Sequence, residues 1–143
     1  MNKVTTWVRE AVVAVVAVAL LGSIVAGCSR EGPKLTELQR IKSGVLDVVL
    51  LSPRDALRHG KDDFVIEFRN TDGKLVDVGD VRSTASMPMS GMPMFGSVNT
   101  QRTDTPGRYR AESDLSMAGT WRLGTEWNGP AGKGAVTFSG TVQ

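Results

Sequence analysis

Apolar and polar residues alternate most cleanly between Arg108 and Met117. The odd positions Tyr109, Ala111, Ser113, Leu115 and Met117 carry apolar or small side chains, and the even positions Arg108, Arg110, Glu112, Asp114 and Ser116 carry charge or hydroxyl. A period of two places successive side chains on opposite faces of a strand, so this segment predicts one buried and one wetted face. Trp121, Leu123 and Trp127 form a second such set, facing away from Arg122 and Glu126. Phe64, Ile66 and Phe68 form a third within Asp63 to Arg69. Val45 to Leu51 reads as a strand ended by Ser52-Pro53, and Val136, Phe138 and Val142 fill a last one.

Turn chemistry separates these runs. Asn70-Thr71-Asp72-Gly73-Lys74 predicts a hairpin, because Asp-Gly supplies the positive φ that tight turns need, with Leu75 to Ala85 as the returning strand. Asn128 to Gly132 is a second turn, and Leu57 to Asp63, with His59-Gly60, reads as a loop. Leu35 to Ile41 is open between a helical turn and a lead-in to the first strand. There is no internal repeat. About seven short strands, with a turn every ten residues or so, predict an all-β chain folded as a single antiparallel β-sandwich.

The amino-terminal end differs in kind. Ala11 to Ala26 carries no charge, Lys3 and Arg9 precede it, and small residues lead up to Cys28. That arrangement is a secretory signal peptide, helical in its apolar part. The run falls short of the ~20 residues a spanning helix needs, which leaves an uncleaved anchor as the alternative. Val25-Ala26-Gly27-Cys28 resembles the lipobox of bacterial lipoproteins. The resemblance implies cleavage before Cys28, a diacylglycerol thioether on its sulfur and a fatty acyl group, such as palmitate, on the new amino terminus. More than one chain matters physically, since a single acyl chain holds a membrane only marginally. Ser29 in place of aspartate is similar to lipoproteins sent to an outer membrane; the outer face of the plasma membrane is the other destination. The competing reading of Cys28 is a buried cysteine at the edge of an anchor helix. The expected division is residues 1–27 as signal peptide, 28–44 as lipidated cysteine and tether, and 45–143 as the sandwich.

Charge and composition exclude several functions. The formal net charge is only +2, and no basic block stands out, so an electrostatic case for nucleic acid is absent. Cys28 is the sole cysteine, and once acylated it leaves no thiol for a disulfide, a thiolate metal site or a nucleophile. His59 is the sole histidine, in a loop beside Gly60, so no zinc constellation and no Ser-His or Cys-His pair can be assembled. Asp62-Asp63 reads as a solvated loop with too few oxygen ligands for calcium. The glycines sit in turns rather than in a phosphate-binding loop. A non-enzymatic protein is the expectation.

One stretch carries candidate chemistry. Four of the six methionines lie in Met87-Pro88-Met89-Ser90-Gly91-Met92-Pro93-Met94, two Met-Pro-Met units about Ser-Gly. Proline fixes its own φ and biases the residue before it towards extended backbone, so each unit is stiff. Ser90-Gly91 supplies a turn between them that brings the two arms together. A thioether is soft, neutral and has no proton to lose, which selects Cu(I) over Zn(II), Mg(II) or Ca(II) with little dependence on pH. Met87, Met89, Met92 and Met94 are therefore candidate Cu(I) ligands, with Met117 and Trp121 placed to close the site. Against this stands the reading that methionine is an adaptable filler of cores and contact surfaces. On that view the two units plug one end of the sandwich or form a contact patch, and Met117 and Trp121 belong to the core.

With these residues laid out, the chain resembles the YtkA-like domain family, which overlaps with FixH-like proteins. The resemblance rests on Pro53, Leu57 and Gly60 before the Phe64 to Phe68 strand, on the Thr71-Asp72-Gly73 hairpin and on the run from Met87 to Met94. It continues through Pro106-Gly107-Arg108-Tyr109 and Met117-Ala118-Gly119-Thr120-Trp121, covering about Val45 to Val142. It implies an immunoglobulin-like sandwich, found alone in exported proteins or attached to periplasmic adaptor subunits of heavy-metal efflux pumps. It also implies that Met87, Met89, Met92, Met94 and Met117 match a methionine-rich segment and a Met-x-Gly-x-Trp element. Many members place a histidine near these methionines; its absence here favours Cu(I) over Cu(II). FixH-like members carry an uncleaved membrane helix, whereas the lipobox argues for a lipid anchor. Two functions follow as expectations: an envelope-anchored module that captures or hands over Cu(I), or an assembly module whose Met-Pro loop is a hydrophobic contact surface for a periplasmic efflux pump or oxidase component.

Overall fold

Strand-forming patterns become eight strands, and among the residues described no helix accompanies them. A computed structural model describes residues 32–143; the apolar run, the lipobox and Cys28, and with them the expected signal-peptide helix, lie outside this range. The strands are β1 (Thr36–Ser43), β2 (Leu46–Ser52), β3 (Gly60–Arg69), β4 (Asp80–Met87), β5 (Met94–Arg102), β6 (Arg108–Leu115), β7 (Gly119–Gly129) and β8 (Gly132–Val142). Hydrogen-bonded neighbours run in the order β1-β2-β3-β6-β5-β4-β7-β8, and every pair is antiparallel.

This order folds over on itself at β5. Ser97 to Arg102 pair with β6, whereas Met94 to Gly96 pair with β4, so one strand serves both layers of the sandwich. Gly96 sits at the switch. A Cβ there would lie 2.5 Å from Leu115 Cδ2 and 3.2 Å from Trp121 Cζ3, so the strand passes close over the core only because it lacks a side chain. On the opposite side β1 and β8 approach, and the Ser139 amide donates to Gln39 Oε1 at 3.3 Å.

The alternating apolar positions fill the space between the layers. Phe64, Ile66 and Phe68 of β3, with Tyr109, Ala111 and Leu115 of β6, meet Ala85, Trp121, Leu123, Trp127, Phe138 and Val142 from the other layer. Phe68 packs edge-on against both Tyr109 (5.5 Å) and Trp127 (5.2 Å), the geometry that aromatic quadrupoles favour. On the outer face of β3 the buried Glu67 carboxylate accepts from Arg69 Nε at 2.8 Å and from Arg108 Nε at 2.7 Å. Neither bond follows from periodicity.

Four elements differ from the sequence expectation. The described residues form eight strands rather than about seven because Thr36–Ser43, open between a helical turn and a lead-in, is the edge strand β1. A register shift between Glu37 and Gln39 breaks its alternation, and charge on the edge hides its apolar residues. Leu75 to Ala85 does not return as the hairpin partner of β3. Only Arg69 and Leu75 bridge, after which the chain crosses to the other layer and β4 pairs with β5 and β7. Asp77 and Gly79 make that crossing: Asp77 Oδ1 accepts the Gly79 amide at 2.9 Å, and Gly79 has φ +82°. Asp62 is not a solvated loop residue. It lies in β3, buried and ion-paired with Arg54, and accepts the Arg58 amide at 2.8 Å, tying down the segment after β2. Met117 does not continue the buried face of β6: the strand ends at Leu115, and Met117 is exposed in the turn that follows.

Candidate methionine site

The β4–β5 hairpin is built by its prolines. Pro88 and Pro93 flank the loop, neither can donate to a ladder, and pairing stops where they begin. Gly91, at φ +84°, provides the reversal between them. Met87 and Met94 are consequently opposite one another as the last register pair of the hairpin. Met87 points into the core and is 7% exposed, and Met94 is partly buried against the same core. Met89 and Met92, in the loop, are 48% and 76% exposed.

A second segment reaches the same end of the sandwich. β6 ends at Leu115, so Met117 lies in the short turn to β7 and is 41% exposed, where alternation alone places it in the buried set. Gly119 opens β7 with φ +141°, and a Cβ on it would lie 2.8 Å from Met87 Cε and 3.7 Å from Met87 Sδ. The Met87 thioether therefore rests against the turn that carries Met117. Trp121 is a core residue at 3% exposure, and its Nε1–H donates to the Met117 carbonyl at 3.0 Å.

The structure thus gathers Met87, Met94 and the Met117 turn, while Met89 and Met92 are exposed on the loop above them. Met87 is buried in the core, Met94 is partly buried against it, and Met89, Met92 and Met117 are exposed. No cluster of three or more His, Cys, Asp or Glu able to hold a metal occurs among the described residues. The donors gathered at this end are neutral sulfur, a set that fits a soft monovalent ion and fits Zn(II), Ca(II) or Cu(II) poorly. His59 is exposed and engages the backbone oxygen of Gln143 at 3.0 Å through Nδ1.

Sequence reasoning missed Phe95. It lies on the outer face of β5 opposite Ser86, beside Met94, and is 76% exposed. The signal was available: if Met94 packs inward, its neighbour in a strand must point out. Phe95, Met89, Met92 and Met117 are all exposed large apolar side chains. Elsewhere, a 270 Å³ crevice is lined by core side chains such as Leu50, Phe64, Leu123 and Phe138 and presents no His, Cys or Lys.

An antiparallel sandwich with methionines gathered at one end defines the class of protein. Residues 41–126 match the model of the family described as YtkA-like, and the chain belongs to that family. A comparison with curated proteins finds no match. Among solved structures the chain is similar to FetP of uropathogenic E. coli strain F11, as isolated after expression in the periplasm of E. coli. The TM-score is 0.51 at 9% identity, covering 77% of this chain and 97% of FetP. A copper-bound variant of FetP superposes with a TM-score of 0.51 at 7% identity, over 76% of this chain and 97% of that one. At such identities the likeness shows a shared fold.

Proposed function

We propose that this chain is a non-enzymatic binding module of the bacterial envelope that takes up Cu(I) as cargo on methionine sulfur and passes it on. The observation that carries the reading is the convergence of Met87 and Met94 across the β4–β5 hairpin with the Met117 turn against Met87. Met89 and Met92, exposed in the loop between, are the sulfurs a donor or acceptor of the ion meets first. Membership of the YtkA-like family and the copper-bound state of a FetP variant with the same fold support a metal role. Expression of FetP in the periplasm supports an envelope location. The anchor in this reading is the acylated Cys28, which faces the domain into the periplasm or holds it on the outer face of the plasma membrane.

The test is a Cu(I) titration of the full chain against a competing chelator, beside a variant with Met87, Met89, Met92 and Met94 all changed to Leu. Leu keeps the apolar volume, so the core survives, but it offers no sulfur. Retention by the native chain and its loss in the variant is expected. Equal, weak retention by both ends the copper reading. The exposure of Phe95 together with that of Met89 and Met92 favours a second reading, in which this end docks on a pump or oxidase component. Under that reading Phe95→Ser abolishes association and leaves copper retention untouched.

A further inference from the structure

We propose that Trp121 and Gly119 are positioning residues of the methionine site, fixing the Met117 turn against the Met87 thioether and β5. The inference rests on the Cu(I) reading and names what holds its donors in place. Trp121 is buried, and a buried indole N–H needs an acceptor; here it is the Met117 carbonyl at 3.0 Å. The same ring reaches the other arm of the site. Its Cζ3 lies 3.2 Å from where a Cβ of Gly96 would be, two residues beyond Met94. One rigid indole therefore contacts both methionine-bearing segments, the turn through Nε1 and the start of β5 through its benzo edge.

Gly119 completes the arrangement by what it lacks. Its φ of +141° is a conformation that L side chains rarely adopt, and the space a Cβ would fill is taken by the Met87 methyl at 2.8 Å. Any side chain there pushes Met87 away from the turn. Met117 lies in the turn between β6 and β7 and Met87 at the end of β4, and nothing in their own sequence neighbourhoods fixes their distance. Trp121 and Gly119 do so before any ion arrives, which lowers the ordering cost of binding. Residues that orient ligands without touching the metal characteristically change affinity by roughly 10- to 100-fold when removed.

The experiment uses the full chain in detergent, with its methionine methyl groups labelled by carbon-13, as native protein and as Trp121→Phe, Gly119→Ala, Met117→Leu and the double variant Trp121→Phe/Met117→Leu. In the metal-free proteins, Trp121→Phe is expected to shift or broaden the Met117 and Met94 methyl signals, and Gly119→Ala the Met87 signal. The Met89 and Met92 signals stay in place. Cu(I) retention against the chelator is expected to fall roughly tenfold or more in Trp121→Phe. The double variant should lose less than the product of the two single losses, since part of what Trp121 does acts through Met117. Losses that multiply in the double variant, or metal-free Met117 and Met87 signals unmoved by either substitution, overturn the inference. If the native chain retains no Cu(I), the functional reading falls, and the methyl spectra alone decide whether the turn is positioned as proposed. Gly119→Ala probes the same contact from the opposite side should Trp121→Phe fail to fold.

Discussion

Met87 and Met94 are cross-strand partners at the mouth of the β4–β5 hairpin, and the Met87 methyl fills the place a side chain of Gly119 would occupy. One contact thus joins two functions that the sequence presents separately, since Met87 belongs both to the core and to the gathered sulfurs. A residue with that double position should respond differently from its neighbours in the loop.

Truncation separates the two roles. Met87→Ala removes a buried side chain and leaves a cavity, and its expected cost is about 2–5 kcal/mol. Met92→Ala removes a side chain already in water and should stay within roughly 0.5 kcal/mol of native. Urea denaturation followed by Trp fluorescence measures both. Comparable destabilisation by the two substitutions would place Met92 in a packed site, contrary to its exposure.

Oxidation should follow the same gradient. Peroxide converts a thioether to a sulfoxide, forming an S–O bond as the O–O bond breaks, and access of the oxidant to sulfur governs the order. Met92 is expected to oxidise first, Met89 and Met117 next, the partly buried Met94 after them and Met87 last, because exposure falls in that order. Peptide mass spectrometry after timed exposure reads the order directly. Early oxidation of Met87 would mean that the hairpin opens far more readily than its packing implies.

How much of this was legible follows from what each strand packs against. β6 and β7 were readable because one face is core and the other is solvent, as in Tyr109 against Arg110 or Trp121 against Arg122. β5 left no such trace: it bends from one layer to the other, and Met94, Val98 and Thr100 are only partly buried, so apolar and polar positions do not sort. β1 was obscured by the register shift near Glu37. The methionine run was visible as composition, and the pairing of Met87 with Met94 followed from two prolines about a glycine. The contact with Gly119 was not, because it joins residues on different strands whose nearness depends on the whole fold. Leu75 to Ala85 misled for a related reason, since the Asp72-Gly73 turn is real but the chain leaves the layer after a single bridge.

The crossing between layers gives a third prediction. Gly79 has φ +82°, and a Cβ on it would lie 2.6 Å from the Asn128 carbonyl oxygen and 2.6 Å from Gly129 Cα. Both are backbone atoms that cannot swing aside. Gly79→Ala therefore combines dihedral strain with a clash and should cost more than about 1 kcal/mol. Gly73→Ala, at φ +78° but in open space, carries only the strain and should cost less. Thermal or urea unfolding of the pair tests the ranking, and an equal cost would show that the backbone at the crossing relaxes.

The same crossing is pinned by Tyr109, whose hydroxyl donates to the Gly79 carbonyl at 2.8 Å. Burial raises the phenol pKa above its ordinary value of 10.0, and the negative charge of Asp77 raises it further. A phenol with a raised pKa is kept neutral by the fold. Below pH 10.0 it is neutral in both states, so its contribution to stability is complete. Above that pH the unfolded chain ionises first, and the contribution drains away as pH climbs towards the folded pKa. Tyr109→Phe should lower stability at neutral pH by about 0.5–1.5 kcal/mol, through the lost hydrogen bond. It should also flatten the alkaline fall by up to about 1.4 kcal/mol per pH unit over that window. Tyr109 is the sole tyrosine, so the phenolate absorbance of the folded chain reports this group alone. Parallel alkaline slopes for the native and Tyr109→Phe chains would mean that the hydroxyl ionises freely, and the bond to Gly79 would then have no hold on the crossing.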